Sequence, residues 1–108
     1  MKYNYIGKSG LRVSNICMGT MTFGKKCDKK LSFAILDKAY ASGVNFFDMA
    51  EVYPVPSAAE TYGVTEEIFG EGLADKPRDS IILATKVAGA ANGGFVPPVR
   101  HGLTAIDP

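Results

Sequence analysis

Asp48, Tyr53 and Lys86 bring together a carboxylate, a phenol and an ammonium, each near the end of a short apolar run. Asp48 closes Val44-Asn45-Phe46-Phe47, Tyr53 follows five residues on, and Lys86 comes directly after Ser80–Thr85 (SIILAT). A phenol, with an ordinary pKa of about 10, holds its proton at neutral pH and releases it reluctantly. A nearby ammonium stabilises the phenolate, and a carboxylate behind the ammonium keeps it charged and fixes its direction. Making a phenol a hundred-fold more acidic needs about 2.7 kcal/mol, and one cation at about 4 Å supplies about 4 kcal/mol at an effective dielectric of 20. One lysine is therefore enough in principle. Such a trio is a general acid suited to protonating a carbonyl oxygen while hydride reaches the carbon. Pro54 biases the residue before it toward an extended backbone, which limits the freedom of Tyr53. A fourth element, Gly19-Thr20-Met21, follows another short apolar run, Ser14–Cys17 with Met18.

The same residue types have plainer uses. An aspartate at a strand end is often a turn or cap residue. A lysine after a strand is commonly a solvated edge, and a tyrosine beside proline a packed loop aromatic. Glu51, Glu60, Glu66 and Glu67 read as surface or helix-start charges. Met21 and Phe23 read as loop packing residues, with the mouth of a pocket as the alternative. His101, the one histidine, falls in a trailing loop and carries no role in this reading.

The elements that must position these groups alternate. Residues 2–13 read as a hairpin about the turn cluster Gly7-Lys8-Ser9-Gly10. Residues 15–19 read as a buried strand, and Thr20 to Lys26 as a loop. Asp28 can cap a helix whose apolar stripe is Leu31, Ala34, Ile35 and Ala39, and Gly43 is a natural left-handed stop. A second strand spans 44–48. The segment Glu51 to Ala59, with Pro54 and Pro56, must be loop. Thr65 opens a second helix, with Glu66 and Glu67 at the positive end of its dipole; Ile68, Phe69 and Leu73 form its buried face, and Pro77 ends it. A third strand covers 80–86. Strands alternating with helices imply a parallel sheet with right-handed crossovers. Chemistry in such folds gathers at the carboxyl ends of the strands, where Gly19, Asp48 and Lys86 all stand. Ala88 to Pro98 reads as a long loop, and Asp107-Pro108 as the start of a further helix, so the chain reads as stopping inside a larger architecture.

Composition narrows the class of partner. With 46% hydrophobic and 21% charged residues, the 108-residue chain has the balance of a globular domain, and its net charge of +1 favours neither nucleic acid nor an anionic membrane. No apolar stretch approaches the roughly 20 residues needed to span a bilayer, and the N-terminus lacks the apolar core of a secretory signal. Cys17 and Cys27 read as free, reduced thiols, which suits a cytoplasmic location. Neither GxGxxG nor a phosphate-cradling P-loop is present, which argues against a small flavodoxin-type binding domain.

Three segments, Gly19-Thr20-Met21-Thr22-Phe23-Gly24, Gly43 to Tyr53 (GVNFFDMAEVY) and Ile82-Leu83-Ala84-Thr85-Lys86, resemble in order and separation the N-terminal signatures of the aldo-keto reductases. The continuation Tyr53-Pro54-Val55-Pro56 resembles the bacterial Tas-type branch, whose loop after the tyrosine is longer. The resemblance covers essentially the whole chain. It implies the N-terminal hairpin and first three βα units of a (β/α)₈ barrel, and NADPH-dependent reduction of a small aldehyde or ketone. Position by position it implies Tyr53 as proton donor, Lys86 as the lysine that makes that tyrosine a better acid, and Asp48 as the partner of Lys86. Gly19, Thr20 and Met21, with Asp48, are implied to lie beside the nicotinamide. The family's fourth catalytic group is a histidine ending the fourth strand, and its loops after the seventh and eighth strands hold most of the NADPH. The chain stops before those elements, and His101 is not in the matching context. A barrel of this kind takes about 250 residues, so the chain is expected to be a truncated product, a piece of a longer protein or half of an assembly, inactive alone and with an unpaired third strand. Oligomeric state is open. A non-catalytic, cofactor-binding regulatory subunit of the same barrel family is the second reading.

Overall fold

The structure, a computed structural model, describes residues 1–87. The expected long loop, His101 and the start of a further helix lie outside those residues. The elements run β1 (Tyr3–Tyr5), β2 (Arg12–Ser14), β3 (Cys17–Gly19), α1 (Lys29–Ala41), β4 (Phe46–Asp48), α2 (Val64–Gly72), a 3₁₀ turn (Arg78–Ser80) and β5 (Ile82–Ala84). β1 and β2 form the antiparallel hairpin, and β3-β4-β5 form a parallel sheet in sequence order. This is the arrangement expected for the N-terminal hairpin and the first three strands of a (β/α)₈ barrel, with the barrel not closed. Each strand of the parallel sheet is shorter than the sequence suggests, and β2 runs to Ser14, one residue beyond the expected hairpin. Ser80 in particular belongs to the 3₁₀ turn, where its hydroxyl donates to Pro77 O at 2.6 Å.

The parallel ladder sets Cys17, Phe46 and Ile82 side by side, then Met18, Phe47 and Leu83, then Gly19, Asp48 and Ala84. Successive side chains point to opposite faces of a strand. Phe47 thus enters the core, fully buried, with Phe23, Leu36, Val44, Phe69, Leu73 and Ile81. Its ring meets Phe69 edge-on, 5.3 Å between centroids. Asp48, one residue later, is turned to the opposite face.

The helices differ in detail from the pattern read in the sequence. Asp28 caps α1 as expected, accepting from Leu31 N–H at 2.8 Å, and Gly43 follows with φ +98°. The stripe Leu31, Ala34, Ile35, Ala39 is not the fully buried face, however. Leu31 is 52% exposed, while Ser32 and Leu36 are buried. The cause is α2, which lies close enough that a Cβ on Gly72 would come within 2.9 Å of both Leu36 and Phe33. Two neighbours, sheet and helix, set the orientation of α1, and Ser32 tolerates burial by donating to Asp28 O at 2.7 Å. Thr65 does not cap α2. The cap is Gly63, φ +84°, with no side-chain bond, and the Thr65 hydroxyl instead donates to Phe23 O at 2.6 Å. Glu66 and Glu67 occupy the first turn, and Ile68, Phe69 and Leu73 are buried, as the pattern predicts. The helix ends at Gly72, before Pro77.

Asn45 ties the hairpin to the foot of the sheet. Its carboxamide oxygen accepts from Ser14 N–H at 2.7 Å and its amide donates to Arg12 O at 3.1 Å, while Tyr3 Oη donates to Gly43 O at 2.7 Å. Replacing Asn45 with alanine leaves the Ser14 N–H and the Arg12 carbonyl without these partners. Asn45→Ala is expected to lower stability by about 1–3 kcal/mol, read as a lower urea midpoint with unchanged slope.

Candidate active site

The carboxyl ends of β4 and β5 continue to pair after the strands end. Met49 N–H donates to Ala84 O at 2.8 Å, and Glu51 N–H donates to Lys86 O at 3.2 Å. This extension sets Lys86 beside Asp48. Alternation also separates Thr85 from Lys86: the Thr85 hydroxyl bonds Glu66 Oε1 on α2 at 2.5 Å, and Lys86 turns the other way. The Lys86 ammonium donates to both Asp48 oxygens, at 2.8 Å each, and to Met49 O at 2.9 Å. Three protons thus have three acceptors on one short segment. The same ammonium stands 5.2 Å from the centroid of the Tyr53 ring, in cation–π range. Partial burial alone would lower the Lys86 pKa, but the hydrogen bonds and charge of Asp48, with Tyr53 adding, outweigh it and hold Lys86 above the ordinary lysine range.

Tyr53 lies in the irregular segment 49–63, its N–H donating to Ala50 O at 3.1 Å. The Tyr53–Pro54 and Val55–Pro56 peptides are cis, and Pro54 is fully buried. Opposite, the loop after β3 carries Gly19, Thr20 and Met21. Together with Thr22, Asp48 and Tyr53 they line a cleft of about 230 Å³. The three positions are not equivalent. Thr20 is fully buried and its hydroxyl donates to Asp48 O at 2.8 Å, so its side chain is a strut between the ends of β3 and β4. Gly19 has open space where a side chain would begin, and Met21 is 52% exposed, which leaves bare backbone and an apolar chain on the cleft wall. Phe23 packs in the core, as its sequence position suggests.

Several participants are not legible in the sequence. Glu51 reads as a surface charge but is 6% exposed, and its backbone bonds both Lys86 O and, through its own carbonyl, Gly63 N–H at 2.7 Å. The apolar neighbours Met49 and Ala50 were the one available signal. Glu66 reads as a helix-start charge and also receives Thr85. Nothing in the spacing reveals that pairing, because it depends on how α2 lies over β5. Cys17 is on the same sheet face as Asp48, two residues below Gly19. Partial burial, then the charge of Asp48, push its thiol up against an opposing pull from Lys86, so it stays a protonated, weakly nucleophilic thiol. Both cysteines are free. Among the described residues no group of His, Cys, Asp and Glu could hold a metal ion, and no helix is long and apolar enough to cross a membrane.

Residues 15–103 match the model of the aldo/keto reductase family. The chain belongs to the aldo/keto reductase family. It is 46% identical over 90 residues to the protein Tas of Escherichia coli, covering 82% of this chain and 26% of that one. It is 44% identical over 89 residues to the uncharacterized oxidoreductase YrpG of Bacillus subtilis, covering 81% and 26%. A rice protein named probable voltage-gated potassium channel subunit beta is 38% identical over 96 residues, covering 86% and 27%. Among solved structures, the holo form of aldo-keto reductase AKR11C1 from Bacillus halodurans superposes with a TM-score of 0.68 at 34% identity, covering 82% of this chain and 26% of that one. The chain therefore spans about a quarter of the length of the relatives it matches. It is an N-terminal portion of an aldo/keto reductase, close to the Tas branch, and oxidoreductase chemistry is the family's general activity.

The Asp48–Lys86 pair of this aldo/keto reductase has a definite pH signature. A lysine whose folded pKa is raised stabilises fully below its unfolded value and loses that contribution as pH rises through the folded value. The stability difference between the parent and Lys86→Met is therefore expected to stay level from neutral pH to just below 10.5 and to shrink above it, measured as urea midpoints at stepped pH.

Proposed function

We propose that the whole protein reduces an aldehyde or ketone to an alcohol with NADPH, and that residues 1–87 contain its proton-delivery half. The observation that carries this reading is the Lys86 ammonium, fixed by three acceptors and held over the ring of Tyr53. In this reading Tyr53 donates the proton to the carbonyl oxygen. Lys86 stabilises the phenolate left behind, and Asp48 keeps Lys86 charged and directed. Thr20 holds the Asp48 backbone in place, so the acid and its tuning pair are set before substrate arrives. Gly19 and Met21 would lie against the nicotinamide end of the cofactor, which supplies the hydride when bound. Lys86 already gives its protons to Asp48 and Met49, and no cation lines this cleft among the described residues, so the phosphates of NADPH would be held elsewhere in the protein. The substrate would be a small carbonyl compound, with neither nucleic acid nor membrane as partner, in the cytoplasm.

The test is turnover of an aromatic aldehyde such as benzaldehyde by the full-length protein. Tyr53→Phe is expected to lower kcat by about 10²–10⁴-fold, the usual worth of a positioned general acid, with the Kd for NADPH unchanged. A second reading is supported by the likeness to a protein named as a potassium channel subunit beta: the barrel would serve as a cofactor-binding regulatory subunit. NADPH binding without turnover in the parent would favour that reading. The isolated 108-residue chain is expected to show no tight NADPH binding by fluorescence titration, and tight binding by a folded monomer would contradict the assignment of the phosphate site to other parts of the protein.

A further inference from the structure

We propose that Lys25 is a positioning residue for Tyr53, acting through the proline-rich loop that carries the phenol. The role rests on the reductase reading above. Tyr53 is followed by Pro54-Val55-Pro56, and only Val55 of those three has a backbone N–H. Such a segment cannot hold itself with a backbone ladder of its own, so its place depends on bonds from outside. Two reach it. Val55 N–H donates to Met21 O at 2.8 Å, and the Lys25 ammonium donates to Pro56 O at 2.7 Å. Both come from the loop after β3, and that loop is firmly seated. Gly24 N–H donates to Cys27 O at 2.7 Å, Cys27 N–H donates to Thr22 O at 3.1 Å, and Thr65 on α2 donates to Phe23 O at 2.6 Å. Phe23 is 2% exposed, and Gly24, φ +102°, sits so tightly on α2 that a Cβ would come within 2.7 Å of Val64 Cγ1. Lys25 is thus the one side chain that reaches across from this platform to the carbonyl three residues past Tyr53.

The chemistry explains why the device is a cation. The Pro56 carbonyl is an acceptor with no donor in its own segment, and a charge-assisted bond is stronger than a neutral one. The long lysine stem spans the gap between two loops that are also joined by the Val55 N–H to Met21 O bond. With both bonds in place, the phenol is held at the wall of the cleft opposite Gly19, over the Lys86 ammonium. Without the Lys25 bond, Val55 N–H to Met21 O is the one hydrogen bond left between the Pro54-Val55-Pro56 segment and this platform among the described residues. Small displacements of a reacting group are costly in rate while leaving binding of the other partners intact. Lys26 is the internal control, since it is exposed, adjacent and makes no such bond among the described contacts.

The experiment uses the full-length protein, with steady-state reduction of benzaldehyde and fluorescence titration of NADPH. Lys25→Met keeps the aliphatic stem and removes the donor. It is expected to lower kcat about five- to twenty-fold while KM and the NADPH Kd stay within about two-fold. Lys25→Arg, which can reach the same carbonyl, is expected to restore most of the rate, and Lys26→Met to match the parent. Circular dichroism confirms that the variants are folded. An active parent with unchanged kcat in Lys25→Met overturns the role of Lys25 alone. A loss in Lys25→Met that arginine does not restore, or that Lys26→Met shares, also overturns it, because a general charge or stability effect would then suffice. A parent without turnover overturns the reductase reading itself, and with it this role.

Discussion

One ammonium orders the site. Lys86 places its three protons on Asp48, the last residue of β4, and on Met49, the residue that follows it. That arrangement is available only because β4 and β5 are parallel neighbours in a register that sets Asp48 against Ala84. One step of register would turn Asp48 into the core, where an unpaired carboxylate is costly, and would expose Phe47. The buried aromatic and the polar pair enforce the same register from opposite faces of one strand.

The rest of the described structure can be read as support for that register. The Phe47–Phe69 contact seats α2 on the sheet, and α2 then supplies Thr65 and Glu66 to the loops on either side of the site. Thr65 anchors the loop after β3, and Glu66 takes the hydroxyl of Thr85, which leaves Lys86 pointing to the other face. At the opposite end of the sheet, Asn45 closes the hairpin against β4. A chain that spans about a quarter of the length of its relatives thus holds a locally consistent site whose two flanking strands, β3 and β5, each have a free edge within the described sheet.

The likeness to both oxidoreductases and a channel subunit is what this architecture allows. The site needs only strand ends and two loops. The same barrel framework can carry it into proteins of different use. The clustering of aspartate, tyrosine and lysine is the feature on which the proposed reductase reading rests.

The sequence by itself determined the order of elements, the family, and the identity of the polar groups at the strand ends, because periodicity, turn residues and short motifs are local properties. Asp28 as a cap, Gly43 as a left-handed stop, and Ile68, Phe69 and Leu73 as a buried face follow from spacing alone. Only the tertiary structure decided which face of α1 is buried, since that depends on the close approach of α2 at Gly72. It also decided that Thr65 and Thr20 act as struts, that Glu51 is buried, and that Lys25 reaches Pro56. Each of these is a contact between residues distant in the chain. Such contacts are fixed by how elements pack against one another, and no local pattern in the residues themselves records them.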